Sequence, residues 1–262
     1  MKGAPMKEAF MNRPLLSTES LVKRFGGLAA TDGLSLSVAE GELHALIGPN
    51  GAGKTTLIGQ LSGELTPDSG TILFDGRDVT RLPVHKRAQR GLARSFQITS
   101  IFPSFTALDN VALAVQAHAG HSFRFWRDAA RDRRLAEPAR AVLERVGLGA
   151  RADTRADALA HGEKRQLELA MALATGPKLL LLDEPMAGMG PEDSARMVEL
   201  LQELKGGVTI LLVEHDMDAV FALADRITVL VRGKDLASGT PAQIRNDPAV
   251  RDAYLGDELE AA

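Results

Sequence analysis

The chain has 262 residues, a formal net charge of −3, 45% hydrophobic and 25% charged residues, and no cysteine. This is the composition of a globular protein large enough for one big domain or a core with a smaller lobe. It excludes disulfides and thiolate metal sites and gives no general pull toward nucleic acid. The longest aliphatic runs, 179–182 and 210–213, fall far short of the roughly 20 residues that cross a bilayer, so a soluble, cytoplasmic protein is expected.

Residues 1–13 carry Lys2, Lys7 and Arg13 without an apolar stretch, so a flexible tail with no signal peptide is expected. Strand-like runs follow at 15–22, 34–38, 43–47 and 71–74, separated by the turn signals Glu40-Gly41, Pro67-Asp68-Ser69-Gly70 and Asp75-Gly76. Between 98 and 175 the strand signals vanish, and 106–117, 137–146 and 162–174 read as helices. The segment 122–134 is locally basic, with five arginines beside Phe123, Phe125 and Trp126, but Asp128 and Asp132 dilute it. A solvated helix with one apolar face is its simplest reading. Short apolar runs return at 179–182, 209–213 and 227–231, with helical patterns at 191–204 and 217–224 between them. Buried aliphatic strands alternating with helices predict a mostly parallel sheet covered by helices. The organisation is an α/β core from 14–97 and 176–240, an inserted helical lobe at 98–175, and a C-terminal extension at 241–262.

Gly48-Pro49-Asn50-Gly51-Ala52-Gly53-Lys54-Thr55-Thr56 follows the apolar run 43–47 and spells G-x-x-x-x-G-K-T. Glycines let successive backbone N–H groups turn toward phosphate oxygens, and the helix starting near Lys54 adds its positive end. Lys54 is expected to reach the β- and γ-phosphates and the Thr55 hydroxyl to ligate Mg²⁺. The four leucines 179–182 end in Asp183-Glu184. A buried strand with an acidic tip suits Asp183 to holding Mg²⁺ and Glu184 to polarising an attacking water. His215, after the strand 209–213, is placed to donate to a γ-phosphate. Gln97 stands where the first block meets the helical lobe, where an amide can contact Mg²⁺ or the lytic water and report nucleotide state.

These residues, with Leu159-Ala160-His161-Gly162-Glu163 ahead of a helix, make the chain resemble the ATP-binding-cassette (ABC) ATPases over about residues 15–240. The resemblance implies a P-loop NTPase (RecA-like) core with a β-rich N-terminal part and an inserted all-helical lobe. It implies ATP and Mg²⁺ as cofactors, with Phe25 stacked on the adenine and Mg²⁺ held by Thr55, Gln97 and Asp183. Glu184, His215, Gln97 and Lys54 take catalytic roles, and 160–163 cap the γ-phosphate of ATP bound to a second subunit. Three departures stand out: Ala160 replaces the signature serine, His161 and Glu163 replace the second glycine–glutamine spelling, and Gly190 replaces an aspartate many cassettes carry. Slower turnover is expected from them.

Arg94-Ser95-Phe96-Gln97, Ile101-Phe102-Pro103, 106–111, 161–168 and the end 239–256 resemble the ATPase subunits of branched-chain or hydrophobic amino-acid importers. That resemblance implies a second ABC ATPase, two membrane permeases, a periplasmic solute-binding protein acting indirectly, no nucleic acid, and a place on the cytoplasmic face of the inner membrane. Residues 98–105 are the candidate surface for a permease helix. The rival readings are a soluble ABC-type ATPase acting on a nucleic-acid or ribosomal partner, and a module that holds ATP without hydrolysing it.

Overall fold

A computed structural model describes residues 14–94, 101–118 and 133–253. They form two compact units, one of 14–87 with 205–253 and one of 88–204.

In the first unit, β1 (Pro14–Phe25) and β2 (Leu28–Ala39) make a long antiparallel hairpin that closes at Phe25 and Leu28. Alternation sets its buried face: Leu34, Leu36 and Val38 point inward between exposed neighbours. β1 also pairs with β4 (Ser69–Phe74), and β4 with the two-residue β5 (Arg77–Asp78), giving the antiparallel order β2-β1-β4-β5.

A second sheet of this unit is built on β3 (Leu43–Ile47), which lies parallel to both β8 (Thr209–Val213) and β9 (Arg226–Val231). Every residue of β3 and β8 is buried. Each fully buried Leu, Ile or Val contributes roughly 1.5–3 kcal/mol, so these pentapeptides anchor the unit. β10 (Lys234–Gly239) pairs antiparallel with β9 as a polar, mostly exposed strand.

Helix α1 (Lys54–Ser62) follows β3. Two of its C-terminal carbonyls are closed by Arg87, from the short α2 (Val84–Ala88): the guanidinium donates to Gln60 O at 2.6 Å and Leu61 O at 2.7 Å, and also to Thr80 O at 3.0 Å and Leu82 O at 2.9 Å in the segment before α2. Arg87 is only 1% exposed, and burial lowers its pKa to about 10. α7 (Met217–Leu223) and α8 (Pro241–Asn246) belong to the same unit, with their N-termini capped by Asp216 and Thr240, and residues 248–253 are helical after them.

The second unit holds the parallel pair β6 (Leu92–Arg94) and β7 (Leu179–Asp183). Its helices are α3 (Ala107–His118), α4 (Arg133–Arg145), α5 (His161–Leu173) and α6 (Pro191–Leu204). α3 starts one residue later than its apolar pattern suggests because Thr106 is its cap: the Thr106 hydroxyl accepts the Asp109 N–H at 3.1 Å, and the Asp109 carboxylate accepts the Thr106 hydroxyl at 2.6 Å. α4 is described from Arg133, ahead of the expected 137, and carries Pro138 as its sixth described residue, which leaves the Arg134 carbonyl without its usual helical donor. α6 opens with Pro191, Glu192 and Asp193, which suit a first turn, and buries Met197, Leu200, Leu201 and Leu204. Among the described residues no helix is long and apolar enough to cross a membrane.

Candidate nucleotide site

In the first unit the glycine loop leaves the end of β3 pressed against its neighbours. Gly48 has φ +150°, and a Cβ there would stand 2.1 Å from the Leu230 carbonyl oxygen of β9. At Gly53, φ is +105° and a Cβ would stand 2.1 Å from the Ala30 oxygen of β2. Neither position admits a side chain. Two backbone bonds pin the loop: Gly233 N–H to Ala52 O and Asp32 N–H to Gly233 O, both 2.9 Å.

Gly53 is the N-cap of α1 and has no side chain to cover the helix start. The Leu57 N–H bonds to Gly53 O at 2.9 Å, whereas the amides of the first turn have no acceptor inside the helix. With the helix dipole they form an anion-binding end. The Lys54 ammonium is folded over this loop, donating to Gly48 O at 2.6 Å and Pro49 O at 3.0 Å. Thr55, Asn50 and Gly51 are exposed, Pro49, Gly53 and Thr56 half-buried, and Ala52 buried.

Phe25 ends β1 with half its surface exposed, and the Lys23 ammonium lies 5.8 Å from its ring centroid. That is an open aromatic face with a cation beside it. His215 follows β8 with its side chain 67% exposed; its backbone N–H donates to the buried Glu214 carboxylate at 3.2 Å. Sequence reading passed over Glu214, whose only local signal is its place at a strand end.

In the second unit Asp183 is the last residue of β7, its side chain 1% exposed. Arg94, at the end of the neighbouring β6, donates to Asp183 Oδ2 at 3.2 Å. A pocket beside Asp183 is lined by Arg165, Glu168, Leu169, Leu182, Pro185 and Met197. Glu184 is half-buried with φ +50°, a left-handed conformation rare for a residue with a side chain, and its carbonyl accepts the Ala187 N–H at 3.1 Å. The backbone thus turns sharply at the carboxylate that the sequence singles out.

The 159–163 segment starts α5. Ala160 is the N-cap and has no oxygen with which to cap. Glu163 instead reaches back: its carboxylate accepts the Ala160 N–H at 2.9 Å and the Arg151 guanidinium at 2.8 Å. The bond from Ala160 first, with Arg151 second, holds the Glu163 pKa below the usual value despite partial burial. Gly162 is close-packed on α6: a Cβ there would lie 2.6 Å from Asp193 Cγ. His161 is exposed, with Nε2 at 3.5 Å from where a Cβ on Gly188 would be.

The loop before α3 is clamped by Asn110, which is fully buried. Its side chain accepts the Phe102 N–H at 2.7 Å and donates to Phe102 O at 3.2 Å and Thr106 O at 2.9 Å. Phe102 and Phe105 are held outward as a stacked pair, 50% and 42% exposed with centroids 5.4 Å apart. Two backbone bonds tie this loop to the segment before α5: Ala156 N–H to Phe105 O at 2.8 Å and Asp157 N–H to Pro103 O at 2.9 Å. Gln97, the tail 1–13, residues 254–262 and most of the basic stretch 122–134 lie outside the described residues.

Among the described residues no group of three or more His, Asp or Glu side chains could hold a metal ion by itself. Thr55, in the first unit, offers a hydroxyl and Asp183, in the second, a carboxylate, each by itself a hard oxygen donor. That suits Mg²⁺, which takes one or two protein oxygens and draws the rest from phosphate and water.

An anion-binding loop on a parallel sheet and an acid-tipped strand beside an inserted helical group are the features of one ATPase class, and the comparisons agree. The family model described as ABC transporter matches residues 31–187, and the chain belongs to that family. A second model, branched-chain amino acid ATP-binding cassette transporter, matches residues 236–260. The chain is 42% identical to the high-affinity branched-chain amino acid transport ATP-binding protein BraF of Pseudomonas aeruginosa, covering 94% of this chain and all of BraF. It is also 42% identical to LivG of Escherichia coli K12, described in the same words, with the same coverage. Among solved structures, the ADP conformation of MJ1267, an ATP-binding cassette of an ABC transporter, superposes with a TM-score of 0.83 at 31% identity. It covers 94% of this chain and all of its own. A nucleotide-free cassette gives 0.81 at 31% identity, covering 92% and 98%.

Proposed function

We propose that this chain is the ATP-hydrolysing subunit of an ABC importer that takes up branched-chain amino acids or related solutes. The observation that carries this reading is end-to-end similarity to BraF and LivG together with an intact glycine loop, lysine and acidic strand end. Nothing among the described residues favours the nucleic-acid alternative.

Residue by residue, the loop 48–53 and the first turn of α1 bind the phosphates, with Lys54 leaving its carbonyl partners for phosphate oxygens. Thr56 belongs to the same grip. Phe25 stacks on the adenine. Thr55, Asp183 and Gln97 hold Mg²⁺, which neutralises charge on the β- and γ-phosphates when bound. Glu184 orients the attacking water, and His215 and Gln97 sense the γ-phosphate. Ala160, His161, Gly162 and Glu163, at the start of α5, face ATP held by a second ABC ATPase. With Ala160 in place of serine, backbone amides and the helix end carry that contact.

Two permeases in the inner membrane complete the assembly on its cytoplasmic side, with a periplasmic solute-binding protein delivering cargo. The exposed Phe102–Phe105 pair is the docking surface for a permease helix. The test is reconstitution with the permease and ATPase partners in liposomes. ATP-dependent leucine uptake supports the reading; an assembled complex that hydrolyses ATP without moving any amino acid or amide refutes the assignment.

A further inference from the structure

We infer that Arg94 is a resident counter-cation for Asp183, occupying one oxygen of the metal-ligating carboxylate until Mg²⁺ arrives and so setting the Mg²⁺ concentration at which nucleotide binds. The inference rests on the assignment of Asp183 to the metal.

Three observations support it. Asp183 lies at the buried end of an all-leucine strand with its side chain 1% exposed, where an uncompensated carboxylate is costly. Arg94 stands on the adjacent parallel strand, in register with Leu181, and its side chain is itself only 10% exposed. Nη2 donates to Oδ2 at 3.2 Å, and Asp183 Oδ1 accepts no hydrogen bond among the described residues. One guanidinium nitrogen on one oxygen is not the two-pronged pairing that would lock the group permanently.

A positive charge that close to a carboxylate has two opposite consequences. It stabilises the metal-free protein by answering the buried negative charge. It also repels a divalent cation approaching the same carboxylate. Both follow from one charge, so removing it must shift stability and metal dependence in opposite directions. A purely packing role for Arg94 predicts no such crossing.

The experiment uses full-length wild-type protein and the variants Arg94→Met and Arg94→Lys. ATP binding is titrated with Mg²⁺ at fixed ATP, and melting is followed with and without Mg-ATP. Arg94→Met is expected to lower the melting temperature of metal-free protein and to move the Mg²⁺ midpoint down by roughly threefold to tenfold, the order a screened charge–charge term allows. Mg-ATP should narrow its melting deficit, and Arg94→Lys, which keeps the charge, should behave nearly as wild type. In an Asp183→Asn background, Arg94→Met should leave the Mg²⁺ midpoint unchanged. An unshifted midpoint with an equal melting deficit in both conditions overturns the inference alone. If wild-type ATP binding ignores Mg²⁺ altogether, the metal assignment of Asp183 falls, and the inference with it.

Discussion

The Glu163 carboxylate accepts the Ala160 N–H at 2.9 Å, so the helix carrying the signature segment is capped from one side only. In a full capping box the N-cap side chain returns a bond to the N3 amide, and alanine cannot. Ala160→Ser supplies that hydroxyl. We expect the variant to gain about 0.5–1 kcal/mol of stability, read by chemical denaturation, and to hydrolyse ATP faster in the assembled complex. Faster turnover without added stability would mean that the hydroxyl acts on phosphate rather than on the helix.

The same carboxylate makes stability depend on acidity. Bonds from Ala160 and Arg151 hold its folded pKa below that of the unfolded chain. A depressed carboxylate contributes stability that is present above its unfolded pKa and is lost as pH falls through the folded value. Glu163→Gln keeps an acceptor but cannot titrate. Its unfolding free energy should therefore fall less steeply than that of the wild type below about pH 4. Superimposable pH profiles would show that the Ala160 and Arg151 bonds contribute nothing to folding.

Arg87, only 1% exposed, bonds two carbonyls at the far end of the phosphate-binding helix and two more at Thr80 and Leu82. Arg87→Met strands those oxygens and should cost about 2–4 kcal/mol. Arg87→Lys should recover little, because one ammonium cannot replace three guanidinium nitrogens that together serve four carbonyls. Denaturant titration of both variants checks this.

Phe102 and Phe105 are displayed by a loop whose backbone is fixed by Asn110. Glutamate at either aromatic position should abolish co-purification with the permeases and leave ATP affinity unchanged. Intact assembly in the double variant would remove this surface from the account.

The parts of the fold most legible in the sequence are those where burial is complete. β3, β7 and β8 are apolar pentapeptides or nearly so, bounded by turn residues, and no other local structure suits them. β10 reads Lys-Asp-Leu-Ala-Ser-Gly and escaped notice because it is an edge strand held by pairing to β9 rather than by a buried face. β5 and β6 are too short to show a period. Among candidate site residues the glycine loop was legible because its spelling is its mechanism. Arg94 and Arg87 were not, since a strand-tip arginine and a short-helix arginine look like surface until a partner far along the chain comes beside them. The left-handed turn at Glu184 was equally hidden, because glutamate gives no local signal for positive φ.

That turn leads to the most direct measurement. Glycine adopts φ +50° without the cost glutamate pays there, of order 1–2 kcal/mol. Glu184→Gly should therefore hold or raise stability while losing hydrolysis, and Glu184→Gln should bind ATP and fail to hydrolyse it. Phosphate release by the assembled complex carrying Glu184→Gln is the decisive quantity. The account predicts a fall of at least about a hundredfold, as for removal of a general base; release at the wild-type rate would contradict it.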